Sequence, residues 1–214
     1  MLKTLLILTD IFPIPNKKDF DNGIVSEEFN QFIDILRSFF LTSNAIRKQR
    51  TLYFVIQQEN VLIEISGQHL QYLATDFRTA GSIVVNFLQI IYPVSNKKII
   101  IKKRQIFQQR GSVLSSPGII INKLQKNGLE ALINHASPNL YLLHSKNQKD
   151  HQENKQDINV ILSKESINLL IPISESDFSY PNIPSLCFSM NFENIDIDFS
   201  EQLLWLNFLE DRCI

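Results

Sequence analysis

The first apolar block covers residues 3–9, with Leu5-Leu6-Ile7-Leu8 at its centre. Its length suits a buried strand. A polar stretch punctuated by Pro13, Pro15, Asn16 and Gly23 follows and reads as a loop. Ser26 then precedes Glu27 and Glu28, a side-chain cap with acids in the first turn of a helix. Phe29, Phe32, Ile33, Leu36, Phe39 and Phe40 recur at i, i+3, i+4 and i+7. That spacing predicts an amphipathic helix ending near Ser43-Asn44. Residues 52–56 and 61–65 are apolar runs separated by Gln57-Gln58-Glu59-Asn60, a hairpin pattern that Gly67 ends. A short helix is expected over residues 69–73. Asp76 stands where it can cap the next helix, with Ile83, Val84, Phe87, Leu88 and Ile91 on one face and Pro93 just beyond its end.

Residues 98–107 mix apolar and basic positions and predict a strand. Ser116 and Pro117 fit the cap and first turn of a helix that runs through Leu124 and breaks at Asn127-Gly128. A second helical piece covers residues 129–135. Short strands are expected at 140–143, 160–162, 169–171 and 186–188. Residues 146–157 are almost devoid of apolar side chains and read as a loop insert. A helix from Ser200 closes the pattern. Strands alternating with helices predict an α/β protein, a mostly parallel sheet flanked by helices, folded as one domain over residues 1–214. Ligands of such sheets lie outside the carboxyl ends of the strands. The candidate ends are Leu143-His144, Leu162-Ser163 and Phe188-Ser189.

Composition narrows the function classes. Hydrophobic residues make up 44% of the 214 and charged residues 20%, enough core and too little charge for a disordered chain. The net charge of −1 gives no bulk attraction to nucleic acid, so any RNA contact must come from a local basic patch. Two such patches stand out. Arg47-Lys48-Gln49-Arg50 either meets RNA phosphates or stabilises a helix C-terminus. Lys97-Lys98, Lys102-Lys103-Arg104 and Arg110 either contact RNA or protect an edge strand. Cys187 and Cys213 have no Cys-x-x-Cys spacing, which argues against a structural zinc or a disulfide scaffold and suits a reducing cytoplasm. His69, His135, His144 and His151 show no metal-ligand spacing. Asp196 and Asp198 lack a third ligand and read as a solvated face. No apolar run approaches the roughly 20 residues needed to span a bilayer. Phosphate-loop, nucleophile-elbow and dinucleotide fingerprints are absent.

Five ordered stretches carry a resemblance. They are Phe39-Phe40-Leu41-Thr42-Ser43-Asn44-Ala45-Ile46-Arg47, Gly67-Gln68-His69-Leu70, Asp76-Phe77-Arg78, Ser116-Pro117-Gly118 and Tyr141-Leu142-Leu143-His144. From about residue 26 to about 162 the chain resembles the archaeal tRNA pseudouridine N1-methyltransferases. These belong to the SPOUT class of knotted, S-adenosylmethionine-dependent RNA methyltransferases. The resemblance implies a SPOUT-like fold with a C-terminal trefoil knot, a homodimer, S-adenosyl-L-methionine as cofactor, and methyl transfer to a T-loop pseudouridine of tRNA. It puts cofactor contacts at the Leu143 position and the loop at Ser163, to which the strand-end reading adds Phe188 and Ser189, and it sets Arg47 on a family arginine; Lys48, Arg50, Lys102, Lys103 and Arg104 are the RNA-contact candidates that the charge pattern supplies. It names no catalytic residue, and it implies neither a metal nor a membrane. Where the family has a glycine-rich cofactor loop, this chain has Ser163-Lys164-Glu165-Ser166-Ile167. That departure defines an alternative: a SPOUT-fold homologue that serves as an RNA-binding or structural dimer without transferring methyl groups.

Overall fold

A computed structural model describes residues 2–42, 45–92, 96–136, 139–142, 167–173 and 198–212. The described elements run β1 (Leu2–Thr9), α1 (Lys17–Asp21), α2 (Glu27–Phe40), β2 (Thr51–Ile56), β3 (Val61–Ser66), α3 (Phe77–Ile91) and α4 (Lys98–Arg110). They continue with β4 (Ser112–Ser116), β5 (Ile119–Lys123), α5 (Gly128–Ala136), β6 (Leu140–Leu142), β7 (Ile167–Pro172) and α6 (Phe199–Arg212). The strands form one sheet in the order β4-β5-β3-β2-β1-β7-β6.

The central strand is the apolar block read first from the sequence. Leu5 and Ile7 of β1 enter one core, and Leu6 and Leu8 enter another. A strand alternates its side chains between faces, so a continuous apolar run means both faces are covered. On the first face lie α2, α3 and α6, with Ile100 and Phe107 of α4 at the margin. On the second face Ala136 of α5 is buried against Leu6, Leu8, Val55, Leu140 and Leu170, with Leu129, Leu132 and Ile133 packed alongside. Among the described residues seven phenylalanines, Phe12, Phe29, Phe32 and Phe54 included, are fully enclosed in the first core. Phe32 and Phe54 meet with ring centroids 4.4 Å apart.

The sheet is mixed rather than mostly parallel. β1 runs parallel to both β2 and β7, and β6 parallel to β7. The β2–β3, β3–β5 and β4–β5 pairs are antiparallel. Two misread segments account for the difference. Residues 98–107 belong to helix α4, because the branched run Ile99-Ile100-Ile101 is outweighed by the straight-chain Lys, Arg and Gln that follow. Gly111 closes α4 in the left-handed conformation at φ 72°. Residues 116–124 hold no helix. Pro117 and Gly118 are the central residues of a tight hairpin between β4 and β5, with Gly118 at φ 79°, the value that position i+2 of a type II turn requires. Ile119, Ile120 and Ile121 then continue as a strand, where branched side chains pack well.

The stretch read as a loop between Pro13 and Gly23 holds the short helix α1, capped by the Asn16 side chain, which accepts from the Asp19 amide at 2.9 Å; the other expectations fare as follows. Ser26 accepts from the Phe29 amide at 3.2 Å and caps α2, which ends at Phe40 rather than at Ser43-Asn44. Asp76 accepts from the Thr79 amide at 2.7 Å and caps α3. The β2–β3 hairpin, α5, β6, β7 and α6 fall where the pattern placed them. Residues 69–73 hold no helix: a turn over residues 67–69 runs into irregular chain with a bend at Tyr72. The strands expected at 160–162 and 186–188, the insert 146–157 and the knot-forming stretch lie outside the described residues, as do His144, His151, Cys187, Cys213 and Asp196. Asp198, read as a solvated carboxylate, caps α6. It accepts from the Glu201 amide at 2.8 Å, while Glu201 accepts from the Asp198 amide at 3.0 Å. This reciprocal pair is a capping box.

Candidate functional site

Three of the five sequence stretches that carry the resemblance meet at one end of the sheet. The loop after α2 folds back through a Leu41–Ile46 bridge, and the Arg47 amide donates to the Phe40 carbonyl at 2.7 Å. The Gly67 amide donates to the Arg50 carbonyl at 2.8 Å. A Cβ on Gly67 would stand 2.3 Å from the Arg47 carbonyl oxygen and 2.9 Å from that of Arg50. Next to it, the Ser66 amide donates to the Gly118 carbonyl at 2.8 Å. A Cβ on Gly118 would lie 2.5 Å from the Leu70 nitrogen. Both glycines are therefore required by close backbone approach. Lys48 Nζ donates to the Leu70 carbonyl at 3.3 Å, joining the first loop to the second.

The basic cluster at residues 47–50 is divided by the fold. Arg50 is 3% exposed. Its guanidinium donates to the Phe39 carbonyl at 2.6 Å, to Asn207 Oδ1 at 2.7 Å and to Glu210 Oε2 at 2.5 Å. Burial, then the neighbouring Arg47, lowers its pKa to about 10, against the opposing pull of Glu210. Arg50 is thus unavailable to a phosphate: it holds α6 onto α2. Arg47 forms a two-pronged pair with Asp211, at 3.0 and 2.8 Å. Its Nε is buried without a hydrogen-bond partner. Lys48 remains exposed.

The second basic group lies on α4. Lys102 is exposed, Lys103 and Arg104 are half-buried, and Lys103 Nζ donates to the Ser115 carbonyl. Arg78 donates to the Asp21 carbonyl at 3.2 Å. Leu143, Ser163, Phe188 and Ser189 lie outside the described residues.

Leu2, Lys3, Arg47, Gln49, Arg50 and Glu210 line a cleft of about 70 Å³. A pocket for a cofactor-sized molecule needs roughly 300 Å³ or more, so this cleft holds no adenosine-bearing cofactor. It also lies at the amino ends of β1 and β2, opposite the edge where parallel sheets bind ligands. What sequence reasoning missed here is the clasp itself. Glu210 Oε1 accepts from the Leu2 amide at 3.0 Å, and Asn207 donates to the Ser38 carbonyl at 2.6 Å. The signal available was the placement of Asn207 and Glu210 at i, i+3 on the same stripe as Leu203 and Leu206, polar residues on an apolar face.

Among the described residues no cluster of His, Cys, Asp and Glu has the makings of a metal site, and no helix is long and apolar enough to cross a membrane. The chain matches no protein-family model and no curated protein.

Proposed function

We propose that the chain is a divergent RNA methyltransferase of the tRNA pseudouridine N1 type, a knotted SPOUT-class homodimer that uses S-adenosyl-L-methionine on tRNA in the cytoplasm. One observation carries the reading. The stretches at 39–47, 67–70 and 116–118 resemble the family in order and spacing, and they fold into a single set of interlocking turns through two glycines that admit no side chain. The cofactor's part is to supply the electrophilic methyl group. The chain's part is to hold the target base, with N1 free of its proton, in line with that methyl. The cofactor contacts at Leu143 and Ser163 come from the resemblance, and those at Phe188 and Ser189 from the strand ends read in the sequence.

A second reading is favoured by Ser163-Lys164-Glu165-Ser166-Ile167. Glycines in a cofactor loop allow positive φ and close approach, and these residues do not allow it cheaply. On that reading the chain binds RNA without methylating it. Isothermal titration with S-adenosylmethionine separates the two. The transferase binds in the micromolar range, about 8 kcal/mol, and moves a labelled methyl group to a pseudouridine-containing T-loop RNA. Absence of heat, with tRNA still retarded on a gel, replaces it with the second reading.

A further inference from the structure

The net charge of −1 conceals a strong segregation. From Phe77 through Leu129, 53 residues, there is no Asp or Glu, while nine Lys and Arg occur. With 22 acids in 214 residues, about five would fall in a stretch of that length. The segment spans α3, α4, β4 and β5, and β4 and β5 close one edge of the sheet.

Within it, α4 turns its buried Ile100 and Phe107 to the protein. The opposite stripe is Lys98, Lys102, Gln105 and Gln109, all exposed, at i, i+4, i+7 and i+11. Lys98, Lys102, Arg104 and Arg110 join no ion pair among the described residues. The helix is built against its own stability. Lys98 and Lys102 repel at i, i+4, cations stand at the positive end of the helix dipole, and Lys97 gives no side-chain cap. Such local conflict marks a surface shaped by something other than folding.

A second feature lies at the same end. Lys103 reaches Ser115, and the hairpin tip at Gly118 packs on His69 and Leu70. Two residues further, Tyr72 is 76% exposed and sits at φ 65°, a conformation a bulky residue adopts only under constraint. An exposed ring two residues from Leu70, whose carbonyl accepts from Lys48 Nζ at 3.3 Å, offers a face on which a base can stack.

We propose that α4 and the turn at Tyr72 dock a structured RNA, with Lys98 and Lys102 on its phosphates and Tyr72 on an unpaired base. This rests on the function proposed above and deepens its RNA side: of the basic residues read from the sequence it keeps Lys102, adds Lys98 and Tyr72, and drops Arg47 and Arg50, which are held by Asp211 and Glu210. An anionic membrane is the poorer fit: α4 exposes Ile99 and Ile101, but at helical spacing they flank the lysine stripe on opposite sides rather than forming the one apolar face of an interfacial helix, and the stripe itself continues into Gln105 and Gln109, groups that hydrogen-bond phosphate and sugar.

Filter binding of unfractionated tRNA across a salt series tests this. In K98Q/K102Q the slope of log affinity against log salt shrinks by about 1.5, two contacts at roughly 0.7–0.9 each, and affinity falls at least about tenfold at low salt. The charge-matched K17Q/K18Q variant keeps the wild-type slope. Tyr72→Asn, a residue that tolerates positive φ, raises Tm and weakens binding about tenfold with the slope unchanged. Circular dichroism confirms that each variant is folded. An unchanged slope in K98Q/K102Q overturns the α4 assignment, as does wild-type binding to phosphatidylserine vesicles without binding to tRNA. Tyr72→Asn with full affinity overturns the stacking role. The S-adenosylmethionine titration reads the transferase proposal independently, so the two fail separately.

Discussion

At the residue scale, two glycines fix how the loops interlock. Gly118 combines a left-handed backbone with a Cβ position 2.5 Å from the Leu70 nitrogen. Gly23 has a similar φ of 74° but nothing within 4 Å of its Cβ position. The pair separates conformational strain from steric exclusion. Gly23→Ala costs about 1 kcal/mol, the left-handed penalty alone. Gly118→Ala costs more than about 3 kcal/mol, because backbone must move as well. Urea denaturation of both variants checks the difference. The role of Gly118 was not legible from its neighbours. Pro117 has the same fixed φ at the first position of a helix and at position i+1 of a turn, so Ser116-Pro117 satisfies either structure. The choice is made by Gly118 and by the three isoleucines after it.

At the element scale, the helices with strong periodicity and a side-chain cap were legible. Ser26 and Asp76 mark α2 and α3 by the same chemistry that the structure uses. α4 was not, since its apolar positions are few and its buried face is only Ile100 and Phe107. A stripe that narrow leaves little period to detect. The candidate site shows the same limit. A charge run reads alike whether its guanidinium is solvated or buried. Only a partner more than 150 residues away, Glu210, makes Arg50 a structural residue. Arg50→Met leaves that carboxylate buried without its cation, held only by the Leu2 amide, and lowers stability by about 3–5 kcal/mol. Arg50→Met with Glu210→Leu recovers a large part of the loss, because replacing a buried pair by apolar groups is often close to neutral. The coupling energy from chemical denaturation of the single and double variants measures it.

At the scale of the whole molecule, acid sensitivity follows from two surface carboxylates. The Thr79 amide holds the Asp76 carboxyl below the ordinary 3.8. Hydrogen bonding from Arg47 does the same for Asp211. In each case the unfolded chain binds the proton more readily, so stability rises with pH across that range. The contribution is complete above the ordinary carboxylate pKa and is lost as pH falls through the depressed value. Tm is therefore steady from about pH 7 to 5 and drops below about pH 4. Asp76→Asn keeps the helix cap and removes the titration, so its acid limb is shallower. The order of strands has a separate consequence, for synthesis. β1 lies between β2 and β7, partners of which one, Thr51–Ile56, follows it early in the chain and the other, Ile167–Pro172, much later. Translation at about 5–20 residues per second leaves one flank of that greasy strand bare for roughly 8–30 s until residue 167 emerges. A ribosome that stalls between the two would release a sticky, half-zipped intermediate, the species a nascent-chain chaperone has reason to capture.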